Sequence, residues 1–198
     1  MKPLLFLLLA PLALAVPHRS YAQHKYLTKT GQVSFFSASP IEDIEARTQQ
    51  VAAVLDFDAK QLAFTMPIKS FVFKRTLMQE HFNENYLESD KFPKATFTGR
   101  FTDFDPAALA TAGPHPVQVT GDLTLHGVTH RIQVPATVEL KGGQLLAAAT
   151  FPVAPADYNI EIPLLVRDRI AKVVSVRVAL TCQSTTAGAV GAAASPAK

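Results

Sequence analysis

The sequence predicts an all-β protein: one eight-stranded antiparallel barrel, with a single helix over about residues 76–88 set between strands. Three observations carry this. Eight stretches alternate apolar and polar residues with period two. Most are joined by short turns rich in Gly, Asp and Lys. Only one stretch has helical spacing. One apolar and one polar face per strand suits an antiparallel sheet, dry on one side and wet on the other. Closure into a barrel removes the exposed edges that so many strands would leave.

In chain order, Val33, Phe35 and Ser37 share a face of the first strand. The second, from about Ile44 to Phe57, places Val51, Ala53, Leu55 and Phe57 together. After Asp58-Ala59-Lys60, the residues Leu62, Phe64, Met66 and Ile68 alternate with polar or small neighbours, and Phe71-Val72-Phe73 leads to the helix. Thr76 followed by Gln79 reads as a capping box. Met78, Phe82 and Tyr86, four apart, give the helix an apolar stripe, and Pro93 enforces its end.

Ala95, Phe97, Gly99 and Phe101 form the next inner row. A Pro- and Ala-rich loop, 105–116, precedes the row Val117, Val119, Gly121, Leu123 and Leu125. His126-Gly127 turns the chain into Ile132, Val134, Ala136, Val138 and Leu140. Gly142-Gly143 turns it into Leu145, Ala147, Ala149, Phe151 and Val153. An irregular connection, 157–169, precedes the last row, Val174, Val176, Val178 and Leu180.

Residues 1–22 read as a secretory signal peptide. Lys2 is followed by an apolar run from Leu4 to Val16, too short to span a membrane. Cuts after Ala15 or Ala22 satisfy the small-x-small rule, and the second avoids a Val16-Pro17 junction. The leader holds Lys2 and Arg19 of the 19 basic residues and none of the 16 acidic ones, so the formal charge of +3 falls to near neutrality without it. Such a balance gives no reason to expect nucleic acid as a partner. No second apolar run offers stable membrane insertion. Residues 23–182 are the single domain, and 183–198, poor in large apolar residues, are expected to be a disordered tail. Cys182 is the only cysteine, so no internal disulfide forms. It reads as a strand-end hydrophobe, with pairing between chains as a lesser role. A homodimer is left open.

An eight-stranded barrel holds packed side chains or one small ligand. Small residues on several inner rows, among them Ala53, Gly99, Gly121, Ala147 and Ala149, leave space for an elongated apolar ligand. The same residues would equally accommodate neighbouring Phe rings in a filled core. Periodicity does not choose between them. If hollow, the lining is Phe35, Phe64, Phe97, Phe101, Leu123, Val134 and Phe151, with Met78, Phe82 and Tyr86 as a gate. Arg167 and Arg169, with Lys172, would meet a polar head group at the mouth, or form a solvated basic edge.

Catalytic and metal chemistry are not indicated. His126 and His130 are four apart, but across a strand turn rather than on a helix. Glu80-His81 lacks the His-Glu-x-x-His order, and no nucleophile elbow, phosphate loop or dinucleotide fingerprint is present. No enzyme, metal or cofactor is therefore expected. Convergence of His81, Glu84 and Asp157 in a cleft would count against that expectation.

The segments Leu77 to Pro93, Ala95-Thr96-Phe97-Thr98-Gly99, Gly121 to Thr129, Phe151-Pro152-Val153 and Asp157 to Ile160, with Gly31 to Ser37, resemble the YceI-like proteins. The resemblance runs from about Tyr26 to Cys182, and the chain departs from the family pattern at Ser39 to Ala46. It implies an exported bacterial protein with a lipocalin-like barrel holding a polyisoprenoid or other long-chain lipid. A periplasmic binder or carrier is the expected function, and a ligand-free structural or interaction barrel the alternative.

Overall fold

A computed structural model describes residues 24–185. The leader expected at 1–22 and the tail beyond 185 lie outside the described residues. Nine strands form the sheet: β1 Lys25–Ser37, β2 Ile44–Asp56, β3 Gln61–Pro67, β4 Val72–Phe73, β5 Lys94–Thr102, β6 His115–Leu125, β7 Val128–Lys141, β8 Gln144–Val153 and β9 Val174–Ser184. The last strand thus takes in Gln183 and Ser184, which the sequence placed in the tail. Eight of them close in the order β1-β9-β8-β7-β6-β5-β3-β2, with β2 pairing back onto β1. All pairings are antiparallel. The two-residue β4 adds to the outer end of β2 through Ala46 and Arg47.

The alternating rows fall on the inner face as the sequence predicts. Val51, Leu55, Phe57, Ala95, Phe97, Val138 and Leu145 are all buried. Two strands, however, change phase midway. In β1 the inner face passes from Thr28 to Gly31, and in β2 from Thr48 to Val51. Each irregularity is held by a threonine: Thr28 Oγ1 accepts from the Thr30 N–H at 3.2 Å, and Thr48 Oγ1 from the Gln50 N–H at 3.1 Å. These adjacent bulges bend the sheet where the barrel closes. Gly31 sits inside the bend, where a Cβ would lie 2.5 Å from Leu180 Cδ2.

The β6–β7 turn has positive φ at both His126 (50°) and Gly127 (74°), as the two-residue type I′ hairpin requires. The β7–β8 turn does the same with Gly142 and Gly143.

The helix differs from its expectation. It is α-helical only over Thr76–His81 (α1), then widens into a π-helical turn over Phe82–Tyr86. Arg75, not Thr76, occupies the N-cap and no side chain caps it. Gln79 does not reach back to the cap; its Oε1 accepts from the Phe73 N–H at 3.3 Å, tying the helix to β4. The widening has a local cause. The Asn83 side-chain amide donates to the Gln79 carbonyl at 2.9 Å, the acceptor that the Asn83 backbone N–H would use in a regular α-helix.

Candidate functional site

The barrel interior is divided. At the end where β1, β3 and β8 finish and β2 and β9 begin, a cavity of about 380 Å³ opens beneath α1. Toward the other end the interior narrows to a void of about 60 Å³. The larger volume lies in the range of small-molecule sites, roughly 300–1,000 Å³. The smaller lies far below that range, and its lining is wholly apolar.

The larger cavity is walled by Val33, Phe35, Ile44, Met66 and Phe73 from the strands near its mouth, by Ile68 and Phe71 from the link between β3 and β4, and by Val174 and Val176 from β9. The helix contributes Leu77, Met78, Phe82, Tyr86 and Leu87. The β8–β9 connection contributes Ile160, Ile162, Val166 and Ile170. Phe82 is the hub of the wall: its ring stacks on Phe35 at 5.6 Å and meets Phe71 and Phe73 at 5.6 and 5.0 Å. The four-residue spacing of Met78, Phe82 and Tyr86 is what turns all three toward this space.

Polar groups are confined to the rim. Glu42 Oε1 accepts from Arg75 Nη1 at 2.7 Å. Arg75, Leu77, His81 and Arg169 line the cavity and are also exposed, so it opens to solvent here. The rim is pinned from several sides. Ser37 Oγ, almost fully buried, accepts from the Ala171 N–H at 2.8 Å, holding the β8–β9 connection to β1. His126 Nε2 lies 2.9 Å from Glu88 Oε2, and its Nδ1 lies 3.0 Å from the Tyr158 carbonyl. Both partners are acceptors, so both contacts are hydrogen bonds only when the ring carries a proton on each nitrogen. One side chain thereby joins the end of the helical segment, the β6–β7 turn and the β8–β9 connection. His130 Nε2 reaches the Asp157 carbonyl at 2.7 Å and its ring meets Tyr158 edge-on. Burial, then the charge of Asp157, pushes the Tyr158 phenol above its ordinary range.

The residues singled out from the sequence distribute unevenly. Met78, Phe82, Tyr86, Phe35 and Arg169 all border the larger cavity. Arg167 is exposed and does not line it. Phe64, Phe97, Phe101, Val134 and Phe151 surround the small void instead. Leu123 is buried and borders neither space. His81 lies on the rim, whereas Glu84 and Asp157 are exposed and do not line the cavity.

The expected space at the small residues is also corrected. Gly99 and Gly121 face each other across β5 and β6, and the Phe97 ring covers both. A Cβ on either would come within 2.6 Å of that ring. Sequence reasoning missed most of the β8–β9 connection. The alternation of Ile160 with Ile162 and the spacing of Val166 with Ile170 were the available signals. Cys182 is fully buried, so it is not placed to pair with another chain.

Comparison with known proteins agrees with this architecture. The family model of the YceI-like domain matches residues 23–183. Among solved structures, the polyisoprenoid-binding domain from Saccharophagus degradans implicated in plant cell wall breakdown superposes with a TM-score of 0.69 at 20% identity, covering 82% of this chain and 99% of that one. Burkholderia cenocepacia BcnA gives 0.65 at 21% identity, covering 76% and 95%. The Campylobacter jejuni YCEI protein gives 0.58 at 18% identity, covering 73% and 86%. A search of curated protein sequences returned no significant match. With the family model spanning nearly the whole described barrel, and a lipocalin-like fold shared with these structures, the chain belongs to the YceI-like family.

Proposed function

We propose that this protein is an exported periplasmic binder or carrier of an apolar, isoprenoid-type lipid, held tail-first in the cavity beneath α1. The observation that supports this best is a 380 Å³ space walled by apolar side chains, with charge only at its rim. Burying apolar surface there is favourable by ~25 cal/mol per Å². Ordering the chain and losing its free motion consume much of that sum. The binding domain from Saccharophagus degradans, with the same fold, supports polyisoprenoid as the ligand class. Arg169 sits where a diphosphate or other polar head would emerge, and the leader expected at 1–22 supports export.

The reading is one of binding without catalysis. The alternative of a packed, ligand-free barrel describes only the far half of the interior.

The test is extraction with organic solvent after detergent-free purification, followed by mass spectrometry. About one prenyl lipid per chain is expected. Repeated absence of any lipid, together with failure to retain an added prenyl alcohol, would overturn the reading.

A further inference from the structure

We propose that the mouth of the barrel docks on the surface of a phospholipid bilayer bearing anionic head groups, so that a lipid passes between membrane and cavity without crossing water. The inference rests on the lipid-binding reading of the cavity and adds the partner that the site would face.

The evidence is a segregation of exposed apolar side chains. Nine large ones stand exposed among the described residues. Leu27 and Val54 face each other across β1 and β2, toward the far end. The other seven belong to segments at the mouth end of the barrel. Phe36, Ile41, Val72 and Val173 each adjoin in sequence a residue that lines the cavity, and Leu77 lines it itself. Leu164 and Leu165 open the helical turn that carries Val166 and Arg169 to the rim, and they are 76% and 97% exposed. Scattered single apolar residues on a surface need no explanation. Seven of the nine gathered at the end where an apolar cavity opens do.

Charge selects the occupant. Lys74 precedes Leu77 by three residues, Arg167 and Arg169 follow the Leu164–Leu165 pair, Lys172 adjoins Val173, and among the described residues none of the four makes an ion pair. Apolar prongs with unpaired cations beside them match an interface with hydrocarbon below and phosphates above. Lys and Arg stems can lie along the apolar layer while their heads reach those phosphates. Asp43, Glu161 and Asp168 lie in the same segments, and Glu80 and Glu84 on the helical segment of Leu77, so the acids offset much of this charge. Insertion of the leucines should therefore dominate, with a modest salt dependence.

The test is flotation of the full mature chain with vesicles of phosphatidylethanolamine and phosphatidylglycerol. Wild type should float. The double variant Leu164→Ser/Leu165→Ser should lose ~10-fold in partitioning, because little of either side chain is packed and the fold should be untouched. Leu27→Ser/Val54→Ser, at the far end, should float like wild type. Uptake of a dansyl-labelled prenyl alcohol from solution, without vesicles, should be the same in all three. Wild type that stays with the soluble fraction, or a mouth variant that floats undiminished, would overturn the inference. Flotation that survives while the prenyl alcohol is never taken up would leave docking standing and remove the lipid-carrier reading.

Discussion

The two halves of this barrel use the same residue type for opposite ends. In the far half Phe57 stacks on Phe101 at 4.5 Å, meets Phe104 at 5.4 Å, and receives Tyr26 edge-on at 6.1 Å. Phe64 stacks on Phe97 at 5.2 Å, and Phe97 fills the space left by Gly99 and Gly121. In the mouth half Phe35, Phe71, Phe73 and Phe82 form a ring of walls around a space instead of a plug. The difference lies in what faces the rings. Rings meet each other in both halves; in the far half they also close onto the backbone at Gly99 and Gly121, while in the mouth half one of them, Phe82, belongs to the helical segment that lies across the opening. A count of phenylalanines therefore says nothing of hollowness; their partners decide it.

Substitutions should separate the halves. Phe57→Ala removes a ring that is 1% exposed, and should cost about 3–5 kcal/mol in denaturant unfolding. Phe82→Ala, half-buried beside existing space, should cost distinctly less while weakening uptake of a prenyl probe. Equal costs would erase the distinction. Gly121→Ala places a Cβ 2.5 Å from the Thr98 carbonyl, which is backbone and cannot swing aside. A loss of about 1–3 kcal/mol is expected, read as a shift in the denaturant midpoint. His126→Ala deprives Glu88 and the Tyr158 carbonyl of their shared partner. About 1–2 kcal/mol should be lost, with faster amide exchange in the β8–β9 connection than in β5 and β6.

The smallest effect concerns Cys182. Burial pushes its thiol up from an ordinary 9.0 to about 12, so the fold disfavours the thiolate. Its contribution to stability is complete below 9.0 and is lost as pH rises from there toward 12. A thiol reagent at pH 8 should find no reactive group in the native protein and one after unfolding. Prompt native labelling would show that the strand end opens.

The sequence carried more of the fold than of the site, for a physical reason. Alternation states which face of the sheet a residue takes, and so eight strands and their inner rows could be read directly. It does not state how far along the barrel axis that residue sits. Phe35 and Phe97 are therefore alike in pattern, yet one borders the cavity and the other fills the core. Strand phase could also not be carried through β1 and β2, because the bulges at Thr28 and Thr48 advance the inner face by one residue. The helix stripe was legible, since three residues four apart fix both face and height once the helix is seated. Phe97 covers Gly99 from two residues away on the same strand, but its reach over Gly121 depends on the β5–β6 pairing, which no single stretch of sequence displays. The capping-box motif at Thr76 and Gln79 was present in letters only, because Gln79 is drawn to the Phe73 N–H.

The central claim is that only the mouth half receives a ligand. Titration of a fluorescent prenyl alcohol against two filling variants tests it most directly. Val176→Phe, on the cavity wall, should weaken binding by ~10-fold or more with little change in melting temperature. Ala149→Phe, at the small void, should lower the melting temperature by overpacking while leaving the affinity of the folded protein intact. Loss of binding in Ala149→Phe with none in Val176→Phe would contradict the account and move the ligand to the other half of the barrel.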